Sequence, residues 1–249
     1  MANPTVAVQL VQMLRAAGAE RIYGVVGDSL NPIVGAVRRT PGIEWVHVSN
    51  EEGGAFAAAA EAQVGGRLAV CAGSCGPGNT HLLQGLYDAH RSGAPVLALA
   101  TQIPSRDIGT AFFQETHPER TFQDCSYWCE QVGPAQMPHA LRLAIQTAVG
   151  RRGVSVVVLP GDLAAEESGG PPVLSAMVDT PSPVRPAADQ VEQLAGAVNA
   201  ARTVTLFYGP GAAARMPRSW NWPGRSCRPS VTRSVARSGS TTTTATTSA

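Results

Sequence analysis

The sequence predicts an α/β fold: a doubly wound, mainly parallel sheet with helices on both faces, followed by the start of a second α/β domain and a disordered tail. Three observations carry the prediction. Short apolar runs such as APVLALAT (residues 94–101) and GVSVVVLPGD (153–162) have the continuous hydrophobicity of strands covered on both faces. They alternate with helical stretches of about ten to fifteen residues, the spacing of βαβ units with right-handed crossovers. The composition then changes abruptly near residue 164 and again after Gly211.

Each element has a local reason. Val6, Leu10, Leu14 and Ala17 recur at helical spacing, and Gly18 ends that helix. RIYGVVGDS (21–29) reads as a buried strand closing in a Gly-Asp-Ser turn. Ser29 or Asp28 can cap the next helix, which accepts Pro32 in its first turn. IEWVHVS (43–49) is a second strand, and Asn50 is an N-cap for the alanine-rich helix behind it. RLAVCAGS (67–74) is a third strand, CGPGNTH (75–81) a tight loop and HLLQGLYDAHRSG (81–93) a helix. APVLALAT is the fourth strand, and a long loop follows over 102–117. HALRLAIQTAVGR (139–151) is helical and GVSVVVLPGD the last buried strand.

These elements make a first domain over 1–182, with a linker at about 164–186 rich in Pro, Gly and Ser and without a period. A second unit begins at 183 and breaks off at about 212. In it ADQVEQLAGAVNAAR reads as a helix and TVTLFYGPGAA as a strand entering a glycine turn. Residues 213–249 contain no acidic residue, scatter Arg without a period and end in SGSTTTTATTSA. They are expected to be disordered, as a non-native or frameshifted tail.

The net charge of +1 gives no case for nucleic acid or a charged membrane surface as a partner. Every basic residue is Arg, and only Trp220 and Trp222 interleave with the tail arginines, so a nucleic-acid arm is not favoured. The cysteines Cys71/Cys75 and Cys125/Cys129 share a C-x-x-x-C spacing, but zinc sites favour C-x-x-C with histidine partners. No metal site is expected in this chain. An odd number of thiols without a secretory signal points to a reducing cytoplasm.

Ligands of open α/β sheets bind beyond the carboxyl ends of the strands. Loops at Gly27-Asp28-Ser29, Ser49-Asn50-Glu51, 73–79 and 102–117 all follow strands, so they can share one rim. In the 73–79 loop the glycines read either as a plain turn or as a phosphate cradle, and it is neither a Walker A loop nor G-x-G-x-x-G. Glu51 and Glu52 suit the positive end of a helix dipole. The Gly and Ala turns after them let the helix pack closely, which would recess its first turn and Glu51 with it. A recessed carboxylate suits proton exchange with a ligand nitrogen.

VSNEEGGAFAAAAEAQVGGRLAVCAGSCGPGNTHLLQGLYDAHRSGAPVLALA (48–100) resembles the pyrimidine-binding domain of thiamine-diphosphate enzymes. GVVGDSLNPI, FFQETHPERTFQDCSYWCEQV and RRGVSVVVLPGD narrow the resemblance to the pyruvate oxidase or pyruvate dehydrogenase (quinone) branch, with acetohydroxyacid synthases as close relatives. The resemblance covers roughly residues 5 to 212. It implies that Glu51 hydrogen-bonds N1′ of the cofactor's aminopyrimidine, so that the 4′ nitrogen can take the thiazolium C2 proton. It also implies cofactor contacts from Gly27, Asp28, Ser74, Pro77, Gly78 and Asn79, and a pyruvate pocket lined by Phe113 and Gln114. His117 is read as a loop residue, Tyr87 and Trp128 as packing. Asn50 stands where the family usually has His, and Asn cannot relay a proton.

The activity so implied is FAD-linked oxidative decarboxylation of pyruvate, or a related 2-keto acid, to acetate and carbon dioxide with electrons passed to a quinone at the membrane. The protein would be cytoplasmic, with the full-length form peripheral to the inner face of the membrane. It would be a homo-oligomer (dimer or tetramer), with the alanine-rich helix and the helix after Asn79 set against the partner subunit. The family holds the diphosphate and its Mg²⁺ in another domain with a Gly-Asp-Gly motif and a downstream Asn, and FAD mainly in a central domain. This sequence has no such metal motif and only the beginning of the flavin-binding-like domain, at 183–212, so the chain alone is expected to lack turnover. The rival readings are an acetolactate synthase-like carboligase and a non-catalytic α/β binding module.

Overall fold

Six strands, all parallel, form one sheet: β1 (Arg21–Gly24), β2 (Glu44–His47), β3 (Ala69–Gly73), β4 (Val96–Gln102), β5 (Trp128–Gln131) and β6 (Val154–Pro160). Their order is β2-β1-β3-β4-β6-β5. The chain was described in a computed structural model over residues 3–169, 185–202, 205–208 and 230–233. It divides into two compact units, Met1–Ser182 and Pro183–Ala249.

The helices of the first unit are α1 (Val6–Ala16), α2 (Asn31–Arg39), α3 (Glu51–Gly65), α4 (Pro77–His81), α5 (Leu83–Arg91), α6 (Pro118–Thr121) and α7 (Met137–Arg151). Two hydrophobic clusters show how they cover the sheet. Leu10, Ile33 and Leu141 from α1, α2 and α7 pack with Val70, Leu97, Leu99, Val157 and Leu159. Ala58, Ala62, Leu86 and Ala89 from α3 and α5 pack with Ala69, Cys71, Ala98, Ala100 and Val156 on the opposite face. Alternate strand residues feed the two clusters, as the two-residue period of a strand requires. The second face is small on both sides, which is why a helix made almost wholly of alanine can fill it.

Helices α3 and α5 approach each other closely. A Cβ built on Gly85 would lie 2.5 Å from Ala55 Cβ and 2.6 Å from the Phe56 amide nitrogen. Ala55, Ala58, Ala59 and Ala62 are thus buried inside the chain itself. This corrects the expectation that the alanine run as a whole serves a partner subunit. Only the opposite stripe, with Phe56, Ala60 and Val64, is exposed.

The sequence reading differs from the structure at five further places. Strand β1 stops at Gly24, and Asp28–Leu30 form a 3₁₀ turn. Neither Asp28 nor Ser29 caps α2, whose first turn holds Pro32 but makes no side-chain cap bond. The end of the CGPGNTH loop is already helical, because Pro77 fits the first position of α4. Strand β5 was not expected: it is a four-residue edge strand ending in the exposed Glu130 and Gln131, too short and polar to stand out as an apolar run. The start of the expected linker is ordered, since Val6 N–H donates to Glu166 O at 2.9 Å and Ser168 N–H to Pro4 O at 2.9 Å.

In the second unit α8 (Ala188–Ala200) and β7 (Thr205–Tyr208) lie where a helix and a strand were expected. Strand β8 (Ser230–Arg233) pairs in parallel with β7, within the stretch expected to hold no periodic structure. The rest of the expected tail lies outside the described residues. No described helix is long and apolar enough to cross a membrane.

Cys71, Cys75, Cys125 and Cys129 are free thiols. Burial pushes Cys71 and Cys129 up to about 12 and Cys125 up to about 11. A thiol raised from 9.0 to about 12 has roughly a thousandfold less thiolate at mildly alkaline pH, and thiolate is the reactive form. Iodoacetamide should therefore leave these three unmodified in the native chain under conditions that label all of them once urea is added. Mass spectrometry of the peptides reads the result.

Candidate functional site

Strand β1 has β2 on one side and β3 on the other, so the chain reverses its direction of winding at β1. Crevices at such a point, beyond the carboxyl ends of the strands, are where open α/β sheets hold ligands. The loop after β1, the start of α3 and the loop after β3 meet there.

Glu51 is the first residue of α3. Asn50 caps the helix with an extended backbone, and its Oδ1 accepts from Glu52 N–H at 2.7 Å. Gly54 faces Val48 and the end of β1: a Cβ there would stand 3.2 Å from Val48 Cγ2, a tight contact, and 3.4 Å from Tyr23 O. Glu51 is consequently recessed, with 8% of its surface exposed, whereas Glu52 is exposed. Glu51 Oε2 lies 3.0 Å from His81 Nδ1, within hydrogen-bond distance. A Cβ on Gly78 would stand 3.0 Å from Glu51 Oε1 and 3.3 Å from Ser74 Cβ. The carboxylate thus faces bare backbone on the oxygen that His81 does not take.

The 73–79 loop is shaped by two demands. Gly76 has φ 70° and ψ −119°, a conformation that L side chains rarely adopt, and a Cβ there would lie 2.8 Å from Gln114 Cβ. Gly27 leaves room for Ser74, whose Oγ would be 2.4 Å from a Cβ at that position. Asn79 is buried; its Nδ2 donates to Thr101 O at 2.7 Å and its backbone N–H to Ser74 O at 2.9 Å.

Of the residues singled out in the sequence, Gly27, Glu51, Ser74, Gly78 and Asn79 come together here. Gln114 joins them from the long loop: its Oε1 accepts from Cys75 Sγ at 3.6 Å, and its own φ is 64°. Asp28 and Pro77 are exposed at the carboxyl end of the sheet, and Phe113 is 79% exposed. His117 serves its loop, its carbonyl accepting from the Arg120 and Thr121 amides. Tyr87 donates to Asp124 at 2.9 Å, and Trp128 packs against the core. Sequence reasoning missed three side chains. His81 reaches Glu51 from 30 residues away, and Ser29 and Thr101 are joined by a 2.7 Å hydroxyl contact across 72 residues. No local pattern announces such pairs.

Glu115 organises the segment that carries Phe113 and Gln114. Its carboxylate accepts from the backbone amides of Gly109 and Phe112, and these bonds, Gly109 first, hold it below the usual Glu range. A depressed folded pKa contributes stability that is complete above the usual Glu value and is lost as pH falls through the lower folded value. In an NMR titration the Gly109 and Phe112 amide shifts should stay constant through the usual Glu range and move together only below it.

The residues present fit the aminopyrimidine end of thiamine diphosphate: a recessed carboxylate opens on a surface that a single Cβ at Gly78 would fill. Among the described residues no group of three or more His, Cys, Asp or Glu converges as a metal site.

Residues 4–122 match the family model of the thiamine pyrophosphate enzyme N-terminal TPP binding domain. An uncharacterized 42.6 kDa protein in the isoamylase 3′ region of Pseudomonas amyloderamosa is 54% identical over 86% of this chain and 54% of its own length. Pyruvate oxidase of Lactiplantibacillus plantarum is 35% identical over 82% of this chain and 34% of its own length. Acetolactate synthase 1, chloroplastic, of Oryza sativa subsp. japonica is 31% identical over 82% and 33%. The chain thus spans about half the length of the first of these relatives and about a third of the other two. The parallel sheet, the recessed Glu51 at its winding reversal and the family match point the same way: over residues 4–122 this chain is similar to the N-terminal TPP binding domain of thiamine pyrophosphate enzymes.

Proposed function

We propose that this chain supplies the aminopyrimidine-holding half of a thiamine-diphosphate enzyme that acts on a 2-keto acid, with pyruvate as substrate. The observation that supports this reading is the placement of Glu51: first in its helix, recessed, and open towards Gly78. When bound, thiamine diphosphate supplies the carbanion chemistry that decarboxylates a 2-keto acid, and the protein's part is binding, orientation and a dry site. Glu51 would hold a proton at the ring nitrogen of the bound cofactor. Gly78 and Gly27 leave the ring room to approach the backbone. Ser74 fixes its edge, and Asn79 holds the loop to β4. Asn50 caps the helix and moves no proton. Phe113 and Gln114 are read as lining the substrate's pocket.

The oxidative branch is favoured by the FFQETHPE and CAGSCGPGNTHL wording and by 35% identity to a pyruvate oxidase. In that branch FAD takes the electrons, a quinone at the membrane receives them, acetate is the product and the enzyme is a homo-oligomer. The Mg²⁺-diphosphate and FAD sites would belong to other parts of the assembly. The 31% identity to an acetolactate synthase supports a second reading, carboligation of two pyruvates. Two chimeras test the choice, with residues 1–182 replacing the matching domain of the L. plantarum pyruvate oxidase or of the rice acetolactate synthase. The oxidase reading expects pyruvate-dependent reduction of an artificial electron acceptor by the first and little acetolactate from the second. The opposite pattern would select the carboligase, and thiamine binding without either activity the non-catalytic module.

A further inference from the structure

The hydroxyl of Ser29 was expected to cap α2 and does something else. It lies 2.7 Å from Thr101 Oγ1 and 2.9 Å from Ser74 Oγ, and accepts from the Cys75 N–H at 3.1 Å. Thr101 Oγ1 is in turn 3.0 Å from Gly73 O. Ser29 and Thr101 are both buried.

Counting protons fixes the direction of this chain. A carbonyl only accepts, so the one hydroxyl proton of Thr101 goes to Gly73 O. Thr101 Oγ1 must then accept from Ser29, which uses the only proton of Ser29. Ser29 Oγ therefore accepts its two other bonds, from Cys75 N–H and from the Ser74 hydroxyl. The proton of Ser74 is committed inward, away from the ligand side. One oxygen atom thereby ties together the loop after β1, the loop after β3 and the end of β4. The loop after β6 closes over it, since a Cβ on Gly161 would lie 2.9 Å from Ser29 Cα.

We infer that Ser29 is a positioning residue of the site: as the centre of a one-way hydroxyl chain from Ser74 through Ser29 to Thr101, it pins the 73–79 loop beside Glu51 and presents Ser74 to a ligand only as a hydrogen-bond acceptor. The ligand's identity rests on the function proposed above; the hydroxyl chain does not. A ligand held at Ser74 must bring an N–H or O–H to it. Ser29 acts on the ligand through Ser74 and through the position of Gly78, without contact of its own.

The test uses the whole 249-residue chain and the variants Ser29→Ala, Thr101→Val and Thr101→Ser. Amide hydrogen exchange is followed at Cys75, with Val156 in the sheet core as reference, and thiamine diphosphate affinity is measured by calorimetry. Loss of one buried hydrogen bond sets the scale. Ser29→Ala and Thr101→Val should speed exchange at Cys75 about tenfold and leave Val156 unchanged, while Thr101→Ser, which keeps the hydroxyl, should match the parent. Affinity should fall roughly three- to tenfold in the first two variants and recover in Thr101→Ser. Unchanged exchange at Cys75 in Ser29→Ala, equal acceleration at Val156, or a Thr101→Ser that behaves like Thr101→Val would each overturn the inference. If Ser29→Ala does not fold, the two Thr101 variants decide it. A parent chain that does not bind thiamine diphosphate contradicts the proposed function, while the exchange data still decide the role of Ser29.

Discussion

Glu51→Gln, made in the active chimera, should lower turnover by about 10²–10⁴-fold, the range by which a placed acid–base group contributes. The fold should survive, because Gln keeps the volume of Glu and one oxygen that can still accept from His81. Asn50 Oδ1, not Glu51, provides the side-chain cap of the helix. On the proposed function the diphosphate end would be held outside this chain, so affinity for the cofactor should change far less than turnover. What Gln cannot do is exchange a proton with a ring nitrogen. Glu52→Gln is the control: it is exposed in the same first turn, so it shares the helix-end electrostatics and should leave turnover almost unchanged. Initial rates of acceptor reduction for the three proteins read the result. Comparable losses in both variants would mean that the helix terminus, rather than the recessed carboxylate, matters.

Gly85→Ala should destabilise the first unit by about 1–3 kcal/mol, the cost of overpacking a close-packed core. Its new methyl would meet Ala55 Cβ at 2.5 Å and the Phe56 nitrogen at 2.6 Å, and one of those contacts is backbone that cannot swing aside. Helix α3 would have to move off α5, taking Glu51 with it. Gly53→Ala provides the opposite sign. Gly53 is in the same helix, and a Cβ there meets nothing within 4 Å. That substitution should stabilise by about 0.4–1 kcal/mol through reduced freedom of the unfolded chain. Urea unfolding of both variants gives the comparison. A neutral Gly85→Ala would show that α3 and α5 are not in the contact described.

The parts of the fold readable in advance were those where one local rule acts alone. Strands β3, β4 and β6 are buried along their whole length, so their apolar runs are unbroken. Asn50 caps α3 through its own side chain, and Gly18, at φ 89°, ends α1. Edge strand β5 was hidden because two of its four residues face water. Glu51 could be singled out because its recess follows from the small residues behind it in the chain. His81, Ser29 and Thr101 could not, because their roles arise only when separate strand ends are brought together. Ser29 shows the limit well: next to a helix start, a serine reads as a cap, and only the fold reveals that its hydroxyl is already used by the loop after β3 and by β4.

The most direct test of the account is an NMR titration of the 249-residue chain with thiamine, which carries the aminopyrimidine but no diphosphate. Binding at the site described predicts amide shift changes concentrated at Glu51, Ser74 and Gly78, weaker ones at Gly27 and Gln114, and none at the far ends of the strands, such as Glu44 and Val154. In Glu51→Gln the changes should shrink at Gly78 while the rest of the spectrum stays that of the folded parent. Shifts that map away from Glu51 and Gly78, or that are the same in Glu51→Gln, would contradict the claim that this recessed carboxylate holds the aminopyrimidine.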